Sequence, residues 1–458
     1  MKILKIVVNG LPHVKDELNI DFVAQQRVDT YDKEHLFNVF SNIYVNRAIS
    51  FIGINASGKT TILKTISFVM KLLNNQPINN IESKIIMDDL SKDEDVIITS
   101  FFYDGKNVNK LVTVITKKIN ETDGSEKLII KDEKLWFKNA DKVKTKKTLF
   151  VFNENDLEEI RNKNEQYLMD DVSIIVARNK KNNSGIFVCD MLEWTDHNIL
   201  NVLGRFPKEL LTFLDPSIEY LECSLNDKKV DIRLKFYGKE EIIINNTRIL
   251  ENYLSSGTIK GLGVFMSAAF SFSEGGYMII DEIENHFNRE IVATLIRFFM
   301  DEKVNKKGAT ILFSTHYSEL LDEFERNDSI YIVRNKGGIG VENLSSILKR
   351  NDIKKSEVYD SGYLGGTVPE YEAYMALKKC LRKEFEGKIT VYRILDSRRE
   401  KFNLSKAYED KVDVKNVITA PEIEKLIICN EGKIKEYERE LRKNHKLKPS
   451  TYCKTYCR

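Results

Sequence analysis

Gly53-Ile54-Asn55-Ala56-Ser57-Gly58-Lys59-Thr60 has the spacing GxxxxGK[ST]. Ala48-Ile49-Ser50-Phe51-Ile52, just before it, is a short apolar run that suits a buried strand. After it, Ile62, Leu63, Ile66, Val69, Met70 and Leu73 recur at helical spacing over Thr60 to Leu73. Strand, glycine-rich turn and helix in that order make a cradle for phosphate. Glycines let the backbone wrap closely round phosphate oxygens with N–H groups pointing inward. The helix start adds its positive dipole end. Lys59 is then placed for terminal phosphates, and the Thr60 hydroxyl for a Mg²⁺ ion that phosphate and water also coordinate. Gly53, Asn55, Ala56, Ser57, Gly58, Lys59, Thr60 and Thr61 are the candidate phosphate-binding residues.

The whole chain has 458 residues, which suggests two to three domains. With 42% apolar and 10% aromatic residues it can bury a substantial core, which excludes global disorder. Lys plus Arg number 71 against 69 Asp plus Glu, so bulk charge gives no reason to expect a nucleic-acid binder, although a local basic patch stays open. No uncharged apolar stretch approaches the roughly 20 residues that span a bilayer. Met1 to Asn9 is too interrupted for a signal peptide and reads as a first strand. The 6 cysteines form no CxxC pair, which points to a reducing compartment. A cytoplasmic, soluble protein is expected.

Val96–Phe102, Leu111–Ile115, Lys127–Ile130 and Thr148–Phe152 read as strands, with Asp104-Gly105 and Asp123-Gly124 as hairpin turns. Residues 153 to 215 read as mixed and helical, with a polar loop at Asn179 to Ser184. Strands return over Lys229 to Ile244, and a helix begins near Ser255. Met278–Ile280 and Thr310–Ser314 are buried-strand candidates separated by a helix from about Arg289 to Glu302. Strands alternating with helices imply a parallel sheet, and the meander an antiparallel addition. Lys388 to Leu395 reads as a strand of a separate C-terminal unit, and Pro421 to Leu441 as a helix with Pro421 in its first turn.

Three further stations follow the loop. Leu254-Ser255-Ser256-Gly257-Thr258 opens a helix; alone it is a serine N-cap with a flexible turn. Asp281 and Glu282 end an apolar strand 24 residues after Gly257. One carboxylate there can serve Mg²⁺ and the next can polarise water, or both can sit in a solvated turn. His316 closes Phe313-Ser314-Thr315-His316, within reach of a γ-phosphate or as a capping residue.

Order and wording together resemble the ATP-binding cassette (ABC) class of AAA ATPases: Walker A, an LSGGQ-like signature, Walker B with an adjoining Glu, and a switch His. Asp281-Glu282-Ile283-Glu284-Asn285 and Ser314-Thr315-His316 are similar to the ATPases grouped with OLD (overcoming lysogenization defect) proteins and with anti-phage and abortive-infection systems. Arg350–Ser356 and Gly362–Gly366 resemble segments of that group, and the likeness extends over about residues 1–376. It implies an α/β P-loop NTPase with a parallel core sheet, an antiparallel β lobe and a helical lobe, followed by a small C-terminal α/β unit. The implied division is 1–152, the first ATPase half; 153–250, an inserted mixed and helical lobe; 251–387, the second half; and 388–458, a partner interface.

The resemblance also implies ATP and Mg²⁺ as cofactors and a homodimer or higher oligomer. In it Ser255, Ser256 and Gly257 of one copy would cap the ATP held by another. Asp281 with Thr60 would hold the metal, Glu282 would be the general base, His316 the γ-phosphate sensor, and Lys59 would act on the transferred group. Two departures stand out. The signature reads Ser-Ser-Gly-Thr, and no glutamine lies between Gln76 and Gln166 for the lobe junction, where Asn153 is the available substitute.

About 100 residues more than transporter subunits have between these motifs argue against that branch, and the lack of long heptads or CxxC argues against coiled-coil repair ATPases. OLD nucleases end in a TOPRIM domain with a Glu and an Asp-x-Asp pair. Here Asp396-Ser397-Arg398 stands in place of that pair, and Glu422 and Glu424 fall on different helix faces. The expected function is therefore an ATPase acting as sensor or regulator of a separately encoded effector, nuclease or toxin, in anti-phage defence, answering a phage-derived trigger. The alternatives are a RecF-like or SMC-like DNA-binding ATPase of repair, and a nucleotide-gated scaffold without turnover. DNA is possible but not required as a partner, and no membrane is expected. The five lysines from Lys138 to Lys147 and the loop from Arg178 are solvated faces or contacts to DNA or an acidic trigger. Cys429, His445, Cys453 and Cys457 read as free side chains rather than a zinc site. His286 is either at the dimer seam or locally polar.

Overall fold

The computed structural model describes residues 1–119, 126–161, 168–182, 184–192, 200, 203–226, 229–285 and 287–367. Beyond these it describes 389–395, 412–418, 427–428, 430–443, 452 and 456. Two compact units, Met1–Pro369 and Glu370–Arg458, divide the chain. The expected boundary at 388, Asp123-Gly124, His286, Asp396, Pro421, Glu422, Glu424, Cys429, His445, Cys453 and Cys457 lie outside the described residues.

In the first unit, β1 (Lys2–Asn9) and β2 (Leu18–Asp21) form a hairpin, β3 (Leu36–Phe40) and β4 (Ile43–Asn46) another, and β5 (Ala48–Ile52) leads to helix α1 (Lys59–Leu73). Next come β6 (Asp95–Tyr103), β7 (Asn107–Ile119), β8 (Glu126–Asn139), β9 (Leu157–Ile160), α2 (Ile175–Asn182) and β10 (Val188–Asp190). Then follow β11 (Gly204–Arg205), α3 (Lys208–Leu214), β12 (Ile218–Asn226), β13 (Lys229–Phe236) and β14 (Ile242–Ile244). The main elements end with α4 (Ser256–Glu274), β15 (Tyr277–Ile280), α5 (Arg289–Met300), β16 (Thr310–Thr315), β17 (Ile330–Asn335) and β18 (Ile339–Asn343).

The central sheet has the order β10-β15-β16-β5-β17-β18, parallel throughout except for β18. Every residue of β5, β15 and β16 is buried, which is why these strands read as unbroken apolar runs rather than alternations. Their side chains still alternate in space. Ile49, Phe51, Ile279, Leu312 and Val333 join one core with α1 and the antiparallel strands. Ala48, Ile52, Ile280, Phe313 and Ile332 join a second core with α4 and α5. The sheet is thus sandwiched, and its parallel strands send their carboxyl ends, where α/β sheets bind ligands, to one edge.

An antiparallel sheet, β2-β1-β6-β7-β8-β9, carries the expected meander. Its Asp104-Gly105 turn is present: Asp104 Oδ1 accepts from the N–H groups of Lys106 (3.0 Å) and Asn107 (2.7 Å). A third sheet, β11-β12-β13-β14, packs Leu221, Ile232 and Leu234 against Ile259 and Leu262 of α4. The chain is mixed α/β with parallel and antiparallel sheets, as the alternation implied. Among the described residues no helix is long and apolar enough to cross a membrane.

Three local readings differ. Thr148–Phe152 is not a strand: Lys146–Leu149 forms one helical turn, and Phe150 and Phe152 pack on Phe101 while β9 takes the edge of β8. Asn179 lies inside α2 rather than in a loop, and its Nδ2 donates to Leu73 O at 2.7 Å. The segment from 153 to 215 contributes strands β9, β10 and β11 as well as helix, with β10 completing the central sheet beside β15.

The second unit contains a parallel pair, Ile389–Leu395 with Val412–Ile418, and a helix over Ile434–Lys443. Ile428, Tyr437 and Tyr452 form a small buried cluster within it.

Candidate functional site

The turn after β5 is shaped by close approach. A side chain at Gly53 would meet Val333 O and, at 2.5 Å, Ser57 Oγ. Ala56 (φ 59°) and Gly58 (φ 102°) are both left-handed. At Gly58 a Cβ would also lie 2.6 Å from Ile339 Cδ1, so glycine is required there twice over. α1 then starts at Lys59, as the apolar spacing predicts.

Lys59 is buried, and its Nζ donates to Gly53 O at 2.9 Å and Ile54 O at 3.2 Å. Burial pushes its pKa down, opposed by the nearby charges of Asp281, Glu282 and Glu284. Its Nζ also lies 3.2 Å from His316 Nδ1. An ammonium only donates, so in this contact Nδ1 is the acceptor and Nε2 is the nitrogen left for other partners. That nitrogen faces Glu282 Oε1 at 3.6 Å, too far for a hydrogen bond.

The two carboxylates at the end of β15 are placed differently. Asp281 Oδ2 accepts from Thr60 Oγ1 at 2.6 Å, and Asp281 Oδ1 accepts from Ser314 Oγ. Glu282 is held at φ 46°, a conformation costly for a residue with a Cβ. Its N–H donates to Ser314 Oγ at 2.7 Å, and its Oε2 accepts from Asn285 Nδ2 at 2.8 Å. One hydroxyl, that of Ser314, therefore bridges both positions.

A cleft of about 810 Å³ opens over this constellation, lined by residues 55–61, Glu282, His316, His13, Asn335, Gly337, Gly338 and Ile339. It is of the size that takes cofactor-sized ligands. Its donors are backbone N–H groups, a helix start and an ammonium, which together suit a polyanion. His13, Asn335 and the Gly337-Gly338 turn were not singled out from sequence. Gly337-Gly338 turns the chain between the antiparallel strands β17 and β18, and nothing local in the sequence ties that turn to the loop at 53–60. Ser314 was visible only as the residue two before His316.

Ser255, Ser256 and Gly257 do not line this cleft. Ser255 is the N-cap of α4: its Oγ accepts from Thr258 N–H at 3.0 Å. α4 is nevertheless tied to the carboxylate turn, because Lys260 Nζ donates to Asn285 O at 2.7 Å. Asn153 also lies outside the cleft, with its N–H given to Asp156 Oδ2 at 2.8 Å. In the lysine run, Lys138 Nζ donates to Val151 O (2.6 Å) and Lys146 Nζ to Gln26 O (2.8 Å), so these two serve internal contacts. Arg178 is paired with Asp104 at 3.1 Å and Glu158 at 2.7 Å.

No protein-family model matches the chain, and no curated protein matches it. Among the described residues, no three His, Cys, Asp or Glu side chains are grouped to hold a metal ion. Thr60 and Asp281 offer two hard oxygens in contact with one another.

Proposed function

We propose that the chain binds and hydrolyses ATP as a P-loop NTPase of ABC type, closing in pairs around the nucleotide, and that it regulates a separately encoded effector in anti-phage defence. The observation that carries the ATPase reading is the convergence of Lys59, Thr60, Glu282 and His316 on one polyanion-sized cleft at one edge of a parallel sheet, with Asp281 bonded to Thr60 just behind it. The defence role rests on the resemblance of residues 281–285 and 314–316 to OLD-type ATPases.

In this reading the loop's N–H groups and Lys59 bind the β- and γ-phosphates, and neutralise charge as it moves toward the leaving oxygen. Thr60 and Asp281 fit Mg²⁺, a cation that keeps several waters and takes one or two protein ligands beside phosphate. It would supply charge neutralisation. Glu282, half exposed at the cleft, orients water and takes its proton. His316 turns its Nε2 toward Glu282 in the same space. Ser255, with its helix start, would meet the nucleotide of a second copy.

Magnesium-dependent ATP turnover by the purified chain, with mass by light scattering, tests the proposal. Wild type should turn over ATP, whereas Glu282→Gln should bind it, lose turnover and accumulate as a pair. A wild type that neither binds nor hydrolyses ATP overturns the ATPase reading. Purification with adjacent gene products tests the effector link, and salt-dependent, ATP-stimulated DNA binding by the chain alone would favour a RecF-like role instead.

A further inference from the structure

We propose that Glu284 is a positioning residue that sets where His316 stands in the cleft. Glu284 is 7% exposed and does not line the cleft. Its Oε1 accepts from the backbone N–H of His316 at 2.6 Å. Its Oε2 is buried and has no hydrogen-bond partner among the described residues.

The ladder explains why His316 needs this partner. β16 pairs with β5 as far as Thr315 opposite Ile52, and with β15 as far as Phe313 opposite Ile280. His316 is therefore the first residue beyond the sheet, and its N–H has left the strand pairing. Glu284 replaces the missing strand acceptor with a charged one, which makes a shorter and stronger bond than a neutral carbonyl. The turn that carries it is fixed at both ends. Ile283 N–H donates to Ser314 O at 3.1 Å, and Phe287 N–H donates to Glu284 O at 3.1 Å. The imidazole thus arrives 3.2 Å from Lys59 Nζ on a framework of backbone bonds rather than on a free loop.

A buried carboxylate with an unpaired oxygen is a costly way to accept one N–H, and a neutral side chain would do so with less desolvation. Its charge has a second use, since Glu284, with Asp281 and Glu282, raises the proton affinity of Lys59 against the effect of burial. The position of His316 stands on this geometry; its kinetic consequence rests on the ATPase reading.

The test uses the full chain labelled with ¹⁵N-histidine, with the His316 amide assigned from a His316→Ala spectrum. That amide should resonate downfield in wild type and move upfield in Glu284→Gln, whose amide oxygen still accepts the proton but carries no charge. With ATP, kcat should fall roughly tenfold in Glu284→Gln and about 100-fold in Glu284→Ala, with KM within about twofold. A merely structural residue would lower the unfolding midpoint without this split. An unmoved His316 amide in folded Glu284→Gln, or a raised KM with unchanged kcat, overturns the proposal. If Glu284→Ala fails to fold, the Gln variant decides alone. A wild type without turnover sinks the ATPase reading, while the amide shift still decides the positioning.

Discussion

Thr60 Oγ1 donates to Asp281 Oδ2 at 2.6 Å, although the two residues lie 221 positions apart. The contact exists because β5 and β15 are parallel strands flanking β16, so that the helix after one and the turn after the other start at the same edge. The proposed magnesium site is therefore a product of sheet order, and its two halves can be tested separately.

Asp281→Asn keeps the shape and the acceptor for Thr60 but removes the charge. Affinity for a fluorescent ATP analogue should fall about tenfold with Mg²⁺ present and stay nearly level in EDTA. Equal affinity for both proteins in Mg²⁺ would take Asp281 out of the metal site.

Lys59→Met leaves an apolar stem where the ammonium now bonds Gly53 O and Ile54 O. Losing charged hydrogen bonds to phosphate should weaken ATP binding by roughly 10- to 100-fold. Isothermal titration measures this, and an unchanged dissociation constant would mean the phosphates sit elsewhere.

Ser255 separates a local role from a role between copies. Ser255→Ala removes the cap of α4 and should cost about 1 kcal/mol of stability, read as a lower unfolding midpoint. Ser255→Arg, bulky and charged, should abolish turnover while a single copy still binds nucleotide. Full turnover by the arginine variant would confine Ser255 to capping.

Asp21 gives a pH prediction. Desolvation raises its carboxyl to about 6, against the nearby Lys5 charge and the Val23 N–H bond. A raised folded pKa means that the folded chain holds this proton more tightly, so the stabilisation is complete below the ordinary carboxylate range. It is lost as pH climbs through about 6. Asp21→Asn should match wild type near pH 4 and exceed it at pH 8 by on the order of 2 kcal/mol, after allowing for solvent screening. Thermal unfolding across that range reads the difference, and parallel curves would refute it.

The local grammar of the site was readable before any coordinates. An apolar run, a glycine-rich turn and a helical period fixed β5, the loop and α1, because each is dictated by neighbours in sequence. The strands ending at Asp281 and Thr315 were equally plain, since buried parallel strands carry apolar residues on both faces. Non-local pairing was less legible. Thr148–Phe152 has strand composition, yet β9 occupies the edge it would have needed. β10 is only three residues long and joins the central sheet through a partner nearly 90 positions later, a signal too short for periodicity to register. His13 reaches the cleft because its C=O accepts from Ile339 N–H at 2.7 Å, a contact no spacing rule anticipates.

The left-handed backbone at Glu282 carries one more implication. Glycine or asparagine would relax that position, so a library selected only for heat tolerance should drift toward them. Each such survivor would be sturdier and would have discarded the carboxylate that, in the proposed function, orients water. Durability and output are opposed at this single codon, and any engineering campaign on the protein should screen for both at once.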